Sequence, residues 1–180
     1  MEKKVLTIIF PGFEEIEFVA PVDIMRRAGI KVVIASLNNE KLVTGRSNLT
    51  IQAETGIDGV EADGFDLFFL PGGPGVRDIR KNEKLIGLVR KFSGSGKYVA
   101  AICAAPLVFH DAGILNGIQH TAHFSTYNEL TSAIKDKKVV EDKKVITSQG
   151  AGTAIELGLY IVKVLCGEEK SREVAKAIMF

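Results

Sequence analysis

The chain has 180 residues, 46% of them hydrophobic, which suits one compact domain over residues 1–180 with a substantial core. Lys plus Arg number 23 and Asp plus Glu 22, so the net charge of +1 supplies no broad basic field for nucleic acid. No apolar run reaches membrane-spanning length and two cysteines make no disulfide framework, so a reducing cytoplasm is the expected location.

Val5–Phe10 is a continuous apolar run, the mark of a strand buried on both faces in a parallel sheet. Pro11-Gly12 turns the chain into a helix from about Glu14 to Ala28, closed by Gly29, and Ile30–Ala35 is the next strand. This β-α-β opening predicts a doubly wound sheet. Leu49–Ala53 reads as a short edge strand, and Phe65–Leu70 as a third core strand stopped by Pro71-Gly72-Gly73-Pro74-Gly75. Asn82 caps a helix running to about Phe92, and Tyr98–Ile102 is a further strand. A helix starts directly after Cys103 and ends near Gly113. His120–Ala122 is strand-like, and Lys138–Val140 with Lys143–Thr147 forms a solvated hairpin turning at Glu141-Asp142. Gly152–Cys166 is an apolar helix stopped by Gly167, and Glu168–Met179 is a short amphipathic one.

In open α/β sheets the ligand sits outside the carboxyl ends of the strands. Pro11-Gly12, the loop Gly72–Gly75, Cys103 and Gly150-Ala151-Gly152 all gather there. Cys103, between a strand end and a helix start with only small neighbours, fits a nucleophile elbow; helix-start amides would favour its thiolate. Its local sequence equally fits a buried cysteine acting as a small hydrophobe. The loop Pro71–Gly75 lacks both a Walker signature and a dinucleotide fingerprint, and taken alone is a plain turn. Glu17 falls within the apolar stripe Phe13, Ala20, Ile24 and Ala28, where an acid costs stability unless protonated or paired. The other reading is that it reaches solvent at a helix start. Pro21 removes the N–H that would bond the Glu17 carbonyl and disturbs that turn. His123 matters only if it reaches Cys103; His110 and His120 have weaker claims, and Cys166 reads as a packed core thiol. Three histidines and no clustered ligand motif argue against a structural metal.

Ala100-Ala101-Ile102-Cys103-Ala104-Ala105-Pro106 closely resembles the elbow of the ThiJ/PfpI superfamily. Glu14-Glu15-Ile16-Glu17 followed by Pro21–Gly29, Leu70-Pro71-Gly72-Gly73 and Ser148–Thr153 resemble the branch containing the Parkinson-disease protein and its bacterial relatives. The resemblance spans nearly the whole chain. It implies a flavodoxin-like three-layer α/β sandwich with a mainly parallel central sheet, assembled as a homodimer, with no cofactor. It makes Cys103 the nucleophile and Glu17 its carboxyl partner; because both converge at the strand ends, the carboxyl is expected to hydrogen-bond the sulfur. Gly73 and Ala104 become the oxyanion amides, His123 the nearby imidazole, and Asp23 the residue that orients His123.

Two departures stand out. Ala104 follows the cysteine where the peptidase-like branch has histidine, which counts against protease activity, and Ala105 replaces a frequent glycine. The resemblance implies attack by Cys103 on small 2-oxoaldehydes such as methylglyoxal and glyoxal, giving lactate and glycolate, or on early glycation adducts. The alternative is a redox sensor or chaperone acting through oxidation of Cys103.

Overall fold

In the computed structural model, which describes residues 2–180, β1 (Lys4–Ile9) runs through the centre of the sheet with Val5, Leu6, Ile8 and Ile9 fully buried. A strand apolar on both faces is stable only where helices cover both sides. The chain turns at Pro11-Gly12 into α1 (Glu15–Arg27), which ends at Gly29 in the left-handed region at φ 81°. β2 (Lys31–Ser36) then returns parallel to β1, in register from Lys4 opposite Lys31 to Ile9 opposite Ser36.

β3 (Leu42–Thr44) and β4 (Thr50–Gln52) pair antiparallel as a separate ribbon. The strand expected at Leu49–Ala53 therefore exists, but the edge of the main sheet is β5 (Thr55–Gly56). β6 (Leu67–Leu70) leads through the glycine-rich loop to α2 (Val76–Ile79), a short helix that the sequence pattern does not signal. α3 (Glu83–Gly94) starts where expected, with Asn82 Oδ1 accepting the Leu85 N–H at 3.1 Å. β7 (Tyr98–Ile102), α4 (Pro106–Asp111), β8 (Val139–Asp142), β9 (Val145–Ser148), α5 (Ala154–Cys166) and α6 (Glu168–Ala177) complete the chain.

The main sheet has the order β5-β2-β1-β6-β7-β9-β8, parallel except for the β8–β9 hairpin. α1, α5 and α6 pack on one side and α3 and α4 on the other, giving the flavodoxin-like sandwich. Strand order reverses between β1 and β6, the point at which such sheets open a crevice for ligands. Among the described residues no helix is long and apolar enough to cross a membrane.

Four expectations are corrected. α4 begins only at Pro106, so the turn residues Ala104 and Ala105 separate the cysteine from the helix. The hairpin turns at Lys143 and Lys144, both at positive φ (46° and 68°), because β8 extends through Glu141 and Asp142. Positive φ at both central residues suits the right-handed twist of the flanking strands. His120–Ala122 is not a strand; the Thr121 N–H is satisfied by Thr147 Oγ1 at 2.9 Å, not by a sheet ladder. Cys166 is exposed, because the last turn of α5 runs past the apolar layer it packs on.

α1 runs unbroken through Pro21, against which α5 packs closely at Gly158. A Cβ on Gly158 would lie 3.0 Å from both Pro21 Cα and Ile24 Cδ1, so the missing side chain sets the spacing of the two helices. Gly158→Val should destabilise the protein by about 1–3 kcal/mol through overpacking. Urea denaturation monitored by circular dichroism measures this, and an unchanged midpoint would contradict the close packing.

Candidate active site

Cys103 directly follows β7 and has φ 65°, a left-handed conformation that costs a non-glycine residue about 1–3 kcal/mol. The surroundings hold it there. Its N–H donates to the Ser148 carbonyl at 3.0 Å, and its carbonyl accepts the His123 N–H at 2.9 Å. The residue stands at the rim of the sheet with its side chain half-buried.

Glycine makes room for what surrounds the sulfur. A Cβ on Gly72 would overlap Glu17 Oε2, Cys103 Cβ and the Ile102 carbonyl, so any side chain there would wedge carboxyl and thiol apart. Gly73 has φ 113° and lies against the start of α1, where the Glu14 N–H bonds the Gly72 carbonyl at 2.9 Å. The Gly73 and Ala104 amides consequently face the Cys103 sulfur.

Glu17 and Cys103 meet in this space, each altering the other's proton affinity. Burial pushes the Glu17 carboxyl from an ordinary 4.5 up to about 7, against the opposing pull of Cys103 and of the Gly72 and Ala151 amides. Burial, followed by the Glu17 charge, pushes the Cys103 thiol up to about 12. The amides of Gly73 and Ala104 lower it without overcoming that rise, so the thiolate favoured by a helix start is not the resting condition of an isolated thiol here. Two buried acids this close titrate as a pair. It sheds one proton near pH 7 and holds the other to about 12. Glu17 is 2% exposed and its Oε2 has no hydrogen-bond partner of ordinary geometry, so a proton placed there would be available to the sulfur.

His123 lines the same cleft, of about 630 Å³, together with Cys103, Glu17, Gly73 and Ala104. Its Nδ1 accepts the Ser125 N–H at 3.3 Å and lies 2.8 Å from Ser125 Oγ. The proton of the neutral ring therefore sits on Nε2, and burial lowers the imidazole's affinity for a second one. His123 is thus set up as a hydrogen-bond donor. Asp23 does not orient it within this chain: its carboxylate is tied to Arg27 at 2.6 Å on the exposed side of α1. His120 is buried with Nδ1 on the Ile118 carbonyl, and neither it nor His110 lines the cleft.

Several groups escape sequence reasoning because distant segments bring them in. Glu15, which lies off the apolar stripe of α1, is nevertheless 5% exposed. It accepts the Ser47 and Leu49 amides at 2.8 and 3.3 Å and so anchors the β3–β4 ribbon to α1. Burial pushes this carboxyl up, but the backbone N–H groups outweigh it and hold it below the usual range. The same ribbon delivers Arg46 to Glu14 at 3.1 Å on the cleft rim. Ala151 follows the Gly150 turn, which is closed by Thr153 N–H to the Gly150 carbonyl at 2.8 Å. The Gly150-Ala151-Gly152 run was the available signal for it. Among the described residues no three His, Cys, Asp or Glu side chains are grouped to hold a metal ion.

The DJ-1/PfpI family profile matches residues 3–164. Protein dj-1beta of Drosophila melanogaster is 41% identical over 183 residues, covering 99% of this chain and 98% of the relative. Its crystal structure superposes with a TM-score of 0.93. Deglycase TK1284 of Thermococcus kodakarensis is 32% identical over 165 residues, covering 90% of this chain and 99% of the relative. The oxidized DJ-1 of Toxoplasma gondii, 30% identical, superposes with a TM-score of 0.93 and covers 99% of this chain and 98% of its own. With sequence profile, full-length relatives and three-dimensional architecture in agreement, the chain belongs to the DJ-1/PfpI family.

Proposed function

We propose that the chain is a cofactor-independent cysteine enzyme acting on small 2-oxoaldehydes or early glycation adducts, with Cys103 as nucleophile and Glu17 as general acid–base. The observation that carries this reading is the buried carboxyl at about 7 set against the thiol, with two backbone amides on the sulfur. A general base is most effective when its pKa lies near the working pH. As the sulfur attacks the aldehyde carbon of methylglyoxal, the thiol proton passes to Glu17 and a C–S bond forms. Gly73 and Ala104 amides, with His123 Nε2–H, stabilise the developing oxyanion. Glu17 then moves a proton from the former aldehyde carbon to the neighbouring carbon, converting the hemithioacetal to a thioester. Water releases lactate and restores the thiol, so one methylglyoxal and one water give one lactate. The same attack on a glycation adduct would be a deglycase reaction, the activity for which the Thermococcus relative is named.

A homodimer is the assembly proposed with this activity. Ile16 and Val19 on α1 are 56% and 44% exposed, and the exposed Ile155 and Met179 lie around Ala20 and Ile24 of the same helix, apolar surface that a second copy would cover. The second reading is regulation by oxidation of Cys103, favoured by the solved oxidized form of the Toxoplasma relative.

Cys103→Ser should abolish lactate formation, and Glu17→Gln should slow it by at least about a hundredfold. Absence of lactate with the wild type, alongside selective conversion of Cys103 to sulfinate by peroxide, would replace the enzyme by the sensor.

Alkylation of Cys103 by iodoacetamide should rise with pH through an inflection near 7, where the pair loses its first proton. In Glu17→Gln that inflection should vanish and reactivity should appear only at higher pH. Cys166, whose proton affinity is raised by burial, should show no inflection near 7 in either protein. Mass spectrometry of the two labelled peptides gives both profiles from one sample.

Stability should report the same carboxyl. A folded-state value raised from 4.5 to about 7 leaves wild-type stability intact below 4.5 and erodes it as pH rises through 7. Relative to Glu17→Gln, the wild type should lose about 3 kcal/mol across that window. Urea titrations at pH 4.5, 6 and 8 test this (the pH values are about those that bracket the rise). A constant difference between the two proteins would show that Glu17 is not buried as a neutral acid.

A further inference from the structure

Most charge on the cleft wall is already neutralised. Arg46 holds Glu14 at 3.1 Å. Arg80 forks onto Asp111 at 2.7 and 3.1 Å and also reaches Glu129 at 2.8 Å. Arg77 lies on the same wall, four residues after Gly73 and three before Arg80, so one short segment carries both an amide at the sulfur and this guanidinium. It differs from the other two arginines of the lining in having no hydrogen bond or ion pair from its side chain among the described residues. Five N–H donors in a planar fork are thus unspent on the exposed wall of the cleft that holds Cys103. Such a fork matches the two oxygens of a carboxylate.

We infer that Arg77 receives an anionic group of the substrate, and that the preferred electrophile is a 2-oxoaldehyde carrying a carboxylate beyond its ketone carbon. The inference rests on the reading of Cys103 as a nucleophile toward 2-oxoaldehydes. 4,5-Dioxopentanoate, which is methylglyoxal lengthened by CH2–COO⁻, is a compound of this class. Its aldehyde carbon takes the Cys103 sulfur while the thiol proton passes to Glu17. The aldehyde carbon is then oxidised as the neighbouring ketone carbon is reduced, and one water releases 2-hydroxyglutarate, so no external oxidant or reductant is required. The carboxylate is bound by Arg77 and takes no part in bond making.

Two measurements test the inference. The first compares kcat/KM for 4,5-dioxopentanoate with that for neutral 2-oxopentanal. The ratio should fall about tenfold or more in Arg77→Ala, the scale of a charge-assisted hydrogen bond, and recover in part in Arg77→Lys. The second needs no turnover: Cys103 is alkylated by anionic iodoacetate and by neutral iodoacetamide, each displacing iodide. The iodoacetate-to-iodoacetamide rate ratio at Cys103 should fall about fivefold or more in Arg77→Ala, while the ratio at Cys166 in the same molecules stays constant. Turnover of neither aldehyde together with an altered alkylation ratio would remove the proposed reaction and keep Arg77 as an anion receptor. Turnover of both with ratios unchanged by Arg77→Ala would remove the anion receptor and keep the reaction.

Discussion

Two acidic side chains share a space with room for one charge. Glu17 and Cys103 are both pushed up by burial; the Glu17 charge resists ionisation of the thiol, while the thiol, by hydrogen bonding, favours the carboxylate. The surrounding architecture tolerates this unfavourable contact and supports it. Cys103 stays in its left-handed conformation because both its backbone hydrogen-bonding groups are taken, by Ser148 and His123. Gly72 leaves the gap through which carboxyl and thiol meet, and the Gly73 and Ala104 amides moderate the cost of negative charge on sulfur. A carboxyl held in this way is a poor contributor to stability near neutral pH and a good proton acceptor there. Both properties follow from the same desolvation.

The position of Glu17 depends on what fixes α1. On one side α5 reaches α1 through the absent side chain of Gly158, against Pro21 and Ile24. Near its N-terminus, Glu15 binds two amides of the β3–β4 ribbon. Three acids within the first turn of one helix therefore serve different ends: Glu14 meets Arg46 at the rim, Glu15 anchors the ribbon, and Glu17 enters the site. On the opposite wall, Arg80 joins the end of α2 to Asp111 of α4, whose carboxylate is 8% exposed. A partly buried bidentate pair of this kind holds geometry better than an exposed single contact. It keeps the segment from Gly73 to Arg80 in place along the cleft.

Much of this is legible in the sequence itself. The apolar runs at Val5–Phe10, Phe65–Leu70 and Tyr98–Ile102 identify parallel core strands because only strands covered on both faces are apolar throughout. Asn82 and Gly29 mark helix ends through local chemistry that needs no tertiary context. Glu17 could be singled out because an acid in an apolar helical stripe contradicts its neighbours. Glu15 could not, since off the stripe it looks like an ordinary solvated acid until the ribbon folds over it. Cys166 misled for the converse reason: its helix is apolar overall, but the final turn extends past what it packs on.

By itself, then, the sequence determined the order and type of the elements, the strand-end placement of the glycine-rich loops and Cys103, and the anomaly at Glu17. These are properties of local periodicity, turn chemistry and single-residue conflict, and each is complete within a few neighbouring positions. Only the tertiary structure decided the proton affinities of Glu17 and Cys103, the tautomer of His123, and which arginine of the cleft has no counter-ion among the described residues. Those depend on desolvation and on charges contributed by segments tens of residues apart. Such quantities exist only once the chain has closed around them.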